Sequence, residues 1–233
     1  MTVSRNGLTV MLAMLAALTA AGWLGCGGNK DTPPPKKPEQ GAAVSKKADT
    51  LRPEKSEPAA VSVEYGELSD DRDGQKYRTV KIGDQVWMAD NLNYQTDKSW
   101  CYEDDESKCQ QYGRLYAWSA AAASCPKGWH LPSKDEWAKL VAATESAGAS
   151  KRLKSKSGWG DYGGTDVYGF SALPGGLRGI FGGFSWGGLM GDWWTATDTG
   201  DAAYSRSLDH LGRVLDESRI NKISGFSVRC LED

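Results

Sequence analysis

The five cysteines of this 233-residue chain have the clearest chemical potential, and they fall into two groups. Cys26 closes an apolar N-terminal segment, which is where an exported protein can carry a lipid anchor. The other four lie in the last 133 residues, and their even number predicts a disulfide framework in an oxidising compartment: Cys101, Cys109, Cys125 and Cys230. Four cysteines allow three pairings, and spacing alone does not choose among them.

The acidic segment between Cys101 and Cys109 is the strongest candidate for a metal site. Residues 103–106 read Glu-Asp-Asp-Glu, and carboxylate oxygens are the ligands that calcium prefers. Consecutive carboxylates rarely converge on one ion, so a solvated acidic loop is the favoured interpretation. The segment 69–74 is similar to the start of an EF-hand loop, but Val80 stands where that loop needs a glutamate. The cysteine spacings fit no compact zinc site, and we expect no metal and no cofactor.

The two histidines, His130 and His210, are the natural candidates for acid–base chemistry. Neither lies near a serine in a nucleophile-elbow context, and cysteines held in disulfides are not nucleophiles. We therefore expect that the protein is not an enzyme and that His130 has a structural role. The formal net charge of −2 gives no electrostatic reason to expect a nucleic-acid partner.

Binding is the better prediction, because the segment from Gly158 to Gly191 holds thirteen glycines and seven aromatic residues. Flat rings presented on loops stack on sugar faces or anchor protein interfaces. About half of these rings are expected in the core. The three that stand among glycines are predicted to be exposed: Phe181, Phe184 and Trp186. Polar residues of the next strands are predicted to line an adjacent surface: Tyr204, Arg206, Asp209, His210 and Arg213.

The elements that carry these residues begin after a long N-terminal extension. Residues 1–25 are predicted to be an export signal, and Leu24-Gly25-Cys26 resembles the end of a lipobox. A retained membrane helix and ordinary signal cleavage without a lipid are the alternatives. Residues 26–60 are rich in proline and charge and lack aromatic residues, so they predict a disordered tether. Residues 61–233 are predicted to form one domain with a full core.

Within the domain the periodicity predicts an α+β fold with antiparallel strands, two helices and a long glycine-rich irregular loop. Two alternating segments around Gly83-Asp84 predict a hairpin. The helices are predicted in YAWSAAAASC and from Ser133, where Glu136 completes a capping box, to a stop at Gly148. Further strands are predicted at 193–197, at 203–208, in GRVLD from Gly212, and at 225–231.

Six blocks of this sequence resemble the Fibrobacter succinogenes major paralogous domain: residues 70–94, 112–121, 125–137, 153–160, 168–176 and 225–231. The resemblance implies a secreted or surface-exposed lipoprotein domain related to the C-type lectin-like fold, which formylglycine-generating enzymes also use. It favours the pairings Cys101–Cys109 and Cys125–Cys230. On the chain-entropy formula these bridges contribute about 2.6 and about 4.7 kcal/mol respectively.

These observations together predict a cell-envelope lipoprotein, held in the outer membrane by its lipid anchor and facing the periplasm or the cell surface. Its C-type lectin-like domain is expected to bind a polysaccharide or a surface protein. A structural envelope protein without a specific ligand is the alternative, and an oxidative enzyme similar to the formylglycine-generating enzymes is the third possibility.

Overall fold

Two antiparallel sheets carry most of the strands in the computed structural model, which describes residues 63–144, 148–212 and 216–233. The predicted export signal and tether, with Cys26, lie outside these ranges. The described residues all belong to one compact unit. No helix within the described ranges is long and apolar enough to cross a membrane.

The strands of the described residues vary in length from two to nine residues. They are β1 (Tyr65–Ser69), β2 (Lys76–Ile82), β3 (Gln85–Met88), β4 (Ser99–Trp100), β5 (Leu115–Tyr116), β6 (Trp129–His130), β7 (Leu177–Arg178), β8 (Phe184–Ser185), β9 (Met190–Asp198), β10 (Ala202–Asp209), β11 (Asp216–Asn221) and β12 (Leu231–Glu232). The helices are α1 (Glu106–Tyr112), α2 (Trp118–Ser124), α3 (Lys134–Ala143) and α4 (Ala149–Leu153).

The larger sheet joins the two ends of the described chain. Its order is β1-β2-β3-β12-β6, and the second sheet has the order β11-β10-β9. Two further pairs, β4 with β5 and β7 with β8, complete the strand pairings, and every named pair is antiparallel. The result is a mixed α/β fold with antiparallel sheets, in agreement with the predicted class.

The first hairpin forms where the sequence predicts it. Strands β2 and β3 pair with Val80 opposite Trp87, and Gly83 takes a positive φ of 64° in the turn between them. Strand β1, which the sequence analysis missed, pairs along β2. Its residues are mostly exposed, so it lacks the buried alternation that marks a half-buried strand.

The described residues contain four helices, whereas the sequence analysis predicted two. Both predicted helices are present, and the predicted number is wrong. Helix α3 begins after Ser133, whose side chain accepts from the Glu136 amide in a complete capping box. It ends at Ala143, before the predicted stop at Gly148, which instead precedes α4. Helices α1 and α4 have seven and five residues, too few for a 3.6-residue periodicity to be recognised, and they lack the alanine-rich composition that identifies α2, which is equally short at seven residues.

The predicted closing strand at 225–231 is wrong as a continuous strand. Only Leu231 and Glu232 belong to β12, while the residues before them form single bridges to several partners. Gly225 bridges Arg178, Phe226 bridges Tyr116, and Ser227 bridges Trp193. This segment therefore links separate parts of the fold. The strand predicted from Gly212 falls mainly on residues 213–215, outside the described residues, and β11 begins at Asp216.

Tryptophans build much of the core on both sides of this framework. Five of them are fully buried: Trp87, Trp137, Trp159, Trp193 and Trp194. The rings of Trp87 on β3 and Trp137 on α3 lie 4.9 Å apart, so they hold helix and sheet together. Trp194 on β9 stacks on Phe226 at 4.6 Å in a second cluster. Such large buried rings fix the positions of the loops that leave the sheets.

Candidate functional site

A short hairpin projects from the glycine-rich region, which was predicted to be irregular throughout. Strands β7 and β8 pair through Leu177 with Ser185 and Arg178 with Phe184, and residues 179–183 form the turn. Phe181 lies in this turn with 97% of its surface exposed. Exposing an aromatic ring to water is unfavourable, and a partner that covered the ring would remove this cost. Phe181 has the largest exposed fraction among the large apolar residues of the described surface.

Glycines and one arginine hold the hairpin in place. Gly182 has a φ of 89°, and a Cβ there would lie 2.9 Å from the Arg178 guanidinium, so a larger residue would be strained. Arg178 exchanges two backbone hydrogen bonds with Gly225, and its guanidinium lies 4.0 Å from the centre of the Trp100 ring. The base of the hairpin is therefore fixed while Phe181 points away from it.

Phe184 and Trp186 lie after the turn, and Phe184 packs on a tyrosine that the sequence did not indicate. The Tyr102 ring is 5.5 Å from Phe184, which is half-buried for this reason and not exposed as predicted. The Tyr102 hydroxyl accepts a hydrogen bond from the Gly187 amide at 3.1 Å. A Cβ at Gly187 would lie 2.6 Å from the Tyr102 ring, so glycine is required for this close approach. Trp186, just before it, is 53% exposed, as predicted.

The surface continues from Trp186 to His210 and Tyr162. The Leu189 amide donates to the Trp186 carbonyl, and the His210 amide donates to the Leu189 carbonyl at 2.9 Å. The His210 ring lies edge-on to Tyr162 at 5.1 Å, and Tyr162 is 49% exposed. We call this connected surface the loop face: Tyr162, Phe181, Phe184, Trp186, Leu189 and His210.

Tyr204 and Arg206 do not belong to the loop face, although the sequence analysis grouped them with His210. Arg206 is buried on β10, with Nη2 2.7 Å from a carboxylate oxygen of Glu217 and donating to the Lys134 carbonyl at 3.0 Å. Burial lowers its pKa, and the Glu217 charge partly offsets that effect. Tyr204 is half-buried, with the Lys134 ammonium 5.2 Å from its ring centre. Both residues pack against the start of α3, and Arg206 and Tyr204 lie four and six residues before His210, roughly 13 and 20 Å along an extended chain.

The disulfide predictions are confirmed for both pairs that the resemblance favoured. Cys101 is bonded to Cys109 and Cys125 to Cys230, with sequence separations of 8 and 105. The first bridge spans the acidic segment and ends next to Tyr102. It therefore holds the residue that supports Phe184 and Gly187. The second joins the end of α2 to the C-terminal part of the chain.

The acidic segment does not gather its carboxylates around one point. Asp105 caps α1 by accepting from the Ser107 amide at 2.9 Å, and Glu106 lies 3.9 Å from Arg114. Within the described ranges, the one close group of potential metal ligands is Cys101, Glu106 and Cys109. Its two sulfur atoms are joined in a disulfide, so they are not available as thiolate ligands.

His130 joins the C-terminus to the start of α3. Its Nδ1 lies 2.7 Å from a carboxylate oxygen of Asp233, and its Nε2 lies 3.1 Å from Glu136 Oε1. Burial raises the pKa of Glu136, but hydrogen bonds from Ser133 and His130 outweigh it and bring the pKa below its ordinary value. These contacts are those of a structural histidine, the role that the sequence predicts.

Sequence reasoning missed Tyr102, Tyr162 and Leu189. Tyr162 is preceded and followed by glycines in the same way as Phe181, and this pattern could have identified it. Tyr102 and Leu189 have no such local signal, because their roles depend on contacts with chain segments 85 and 21 residues away: Gly187 and His210.

The antiparallel sheets, the four helices of the described residues and the two disulfides define a disulfide-stabilised domain of mixed α/β class. The chain belongs to the family described as the Fibrobacter succinogenes major domain, whose profile matches residues 80–232, more than half of the sequence. The resemblance carried by the six sequence blocks is thereby confirmed. Neither the curated proteins nor the solved structures that were compared include a significant match.

Proposed function

We propose that this chain is an exported, lipid-anchored binding module with a C-type lectin-like fold, and that its loop face binds polysaccharide. The observation that carries the proposal is the exposure of Phe181 and Trp186 on a surface held by hydrogen bonds, ring contacts and glycines. Exposed rings on a restrained backbone are typical of sites that stack on the apolar faces of sugars.

The rigidity of the loop face favours binding for an energetic reason. Association has a free-energy cost when loops and side chains become ordered, roughly 0.5–1.5 kcal/mol for each immobilised side chain. The Tyr102 contacts with Phe184 and Gly187 and the Arg178 contacts with Gly225 restrict the backbone of this surface before any ligand arrives. The rings of Phe181 and Trp186 are then the hot spots that we expect to contribute most of the affinity.

The proposed anchor and tether complete this interpretation. Cys26 would carry the lipid in the outer membrane, and residues 26–60 would hold the domain away from the bilayer. A polysaccharide of the envelope or of the surroundings is then within reach on the periplasmic or cell-surface side. An oxidative enzyme is less favoured, because all four cysteines of the described residues are bonded in disulfides.

The test compares binding of the full-length protein in detergent with binding of a double variant, F181A/W186A. The wild type is expected to bind members of a glycan array or cellulose, and the variant to lose at least about 2 kcal/mol, roughly thirty-fold in affinity. Ile223→Ala is the matched control, since Ile223 is 60% exposed and lies outside the loop face. If the wild type binds no glycan, or if the double variant binds as the control does, the proposal is wrong and a structural role is favoured.

A further inference from the structure

A concave site lies between the start of β1 and the loop segments 155–157 and 165–173, and its lining contains no loop-face residue. It is a cleft of about 600 Å³, which is within the range of about 300–1,000 Å³ typical of small-molecule sites. The residues that matter for its chemistry are Tyr65, Arg78, Lys156, Asp166 and Ser171.

The floor of the cleft is built from an unusual backbone. Asp166 and Ser171 both have positive φ angles, 49° and 50°, which non-glycine residues rarely adopt. Asp166 offsets this strain locally, because its carboxylate accepts from the Ser171 amide at 2.7 Å and from the Ser171 hydroxyl at 2.6 Å. Gly169 has no room for a Cβ, which would lie 2.3 Å from Val63. The wall from β1 and the floor are therefore held close together.

A buried positive charge lies directly beneath this floor. Arg229 is fully buried, and its guanidinium donates to the Ser171 carbonyl at 2.8 Å, to the Phe170 carbonyl and to Asn91 Oδ1 at 2.9 Å. Within the described chain it makes no hydrogen bond or ion pair with a carboxylate. Burial lowers the pKa of Arg229 to about 10, so the side chain remains charged at neutral pH.

The walls of the cleft add further unused donors. Arg78 uses Nε and Nη2 to bind Asp90, and Nη1 has no partner among the described residues. Lys156 is exposed at the rim and forms no ion pair in the described part of the chain. Three cationic side chains, Arg78, Lys156 and Arg229, and two carboxylates, Asp90 and Asp166, lie at or beneath the cleft. The net charge of these five groups is therefore 3 − 2 = +1.

One wall presents an aromatic ring beside these cations. Tyr65 is 42% exposed, and the Arg78 guanidinium lies 5.0 Å from its ring centre. The ring face can stack on a pyranose, while its hydroxyl group can hydrogen-bond a sugar hydroxyl. A ligand with a negative charge on an otherwise hydroxylated ring matches both features.

We propose that this cleft binds a carboxylate-bearing sugar of the uronic acid class. The sugar ring lies against Tyr65, and its carboxylate accepts hydrogen bonds from Arg78 and Lys156 above the buried Arg229. The residues of this site differ from those of the loop face, and the proposal does not depend on the function proposed there.

Calorimetric titration of the full-length protein in detergent with trigalacturonic acid tests the proposal, and the fully methyl-esterified trimer is the uncharged control ligand. We expect the acid to bind at least about ten-fold more tightly than the ester, with an affinity that falls as salt is added. Lys156→Gln is expected to weaken binding about two- to five-fold, the range of an exposed ion pair. Lys139→Gln removes an exposed lysine from α3 and should leave the affinity unchanged.

Three results would overturn the proposal: no binding of the acid, equal binding of the ester, or equal affinities for the two lysine variants. Competition by acetate at the same concentration as the trimer would also overturn it, since the site would then recognise any small anion. The F181A/W186A variant separates this proposal from the first. It is expected to bind trigalacturonic acid as the wild type does, even though its loop face is altered.

Discussion

Asp192 on β9 is the single residue whose environment most clearly predicts a measurable property. It is 3% exposed, its Oδ1 accepts from the Ser207 hydroxyl, and its Oδ2 has no partner among the described residues. Burial raises the pKa of Asp192 to about 7, and the Ser207 hydrogen bond opposes the rise only partly. The folded protein therefore keeps a proton that the unfolded chain loses near pH 4.

Because the folded state holds this proton, the free energy of unfolding decreases as the pH rises. Between about pH 4 and pH 7 the folded state binds more protons than the unfolded state, so the free energy of unfolding decreases across that window. The decrease reaches about 4 kcal/mol if the whole difference in pKa acts. Asp192→Asn should remove this part of the pH dependence, as measured by urea unfolding at pH 5 and pH 8. Asp161→Asn, at an exposed acid, should keep it; an unchanged pH slope in Asp192→Asn would contradict the assignment.

At the residue scale, the sequence predicts exposure where glycines surround a ring and fails where a distant segment covers the residue. The glycines around Phe181 and Trp186 indicate rings that no neighbouring side chain covers, and both are exposed. Arg206 and Tyr204 alternate along β10 as surface residues would, yet the start of α3 covers them. Which face of a strand a helix covers depends on the fold as a whole, so no local pattern could identify that burial.

At the element scale, helix α3 depends on its N-terminal cap. The Ser133 hydroxyl accepts from the Glu136 amide at 3.3 Å, and the Glu136 carboxylate accepts from the Ser133 amide at 2.7 Å. Ser133→Ala removes the first bond and the one that the Ser133 hydroxyl donates to Glu136 Oε2 at 2.8 Å, and we expect it to lower the free energy of unfolding by about 1 kcal/mol. Thermal or urea unfolding of the full chain would measure this.

The control for the cap is Ser119→Ala, at an exposed position inside α2. Alanine has the higher helix propensity there, so this variant should be neutral or slightly stabilising. Equal losses in the two variants would show that the Ser133 cap contributes nothing of its own.

The elements that the sequence predicts are those with a strong local signal. The capping box at Ser133 and the turn at Gly83-Asp84 belong to this group. The segment 225–230 has the composition of a strand, yet its backbone hydrogen bonds are divided among six residues: Met88, Leu92, Tyr116, Arg178, Asp192 and Trp194. Its conformation results from four separate chain segments meeting there, and a single-strand pattern does not encode that arrangement.

At the scale of the whole molecule, the Cys125–Cys230 bridge closes most of the domain into one loop. Its 105-residue separation predicts that it stabilises the fold by about 4.7 kcal/mol, mainly by restricting the unfolded chain. The variant C125A/C230A should therefore lose more stability than C101A/C109A, for which about 2.6 kcal/mol is expected. Urea unfolding of both variants under one set of conditions measures the difference. The reverse order would show that native contacts, and not loop length, determine what each bridge contributes.

The Cys101–Cys109 bridge is expected to have a second effect, because it restrains a residue that supports the loop face. Cys101 precedes Tyr102, whose ring supports Phe184 and whose hydroxyl binds the Gly187 amide. Without the Cys101–Cys109 bond, Tyr102 is held less firmly, so the Gly187 amide should exchange its hydrogen faster while the fold persists. Hydrogen exchange under native conditions should detect this in C101A/C109A. The same measurement should show little change at Gly187 in C125A/C230A, apart from its lower global stability. If Gly187 is equally protected in C101A/C109A and in the wild type, then the contacts of β7 with Gly225 fix the loop face without help from the disulfide.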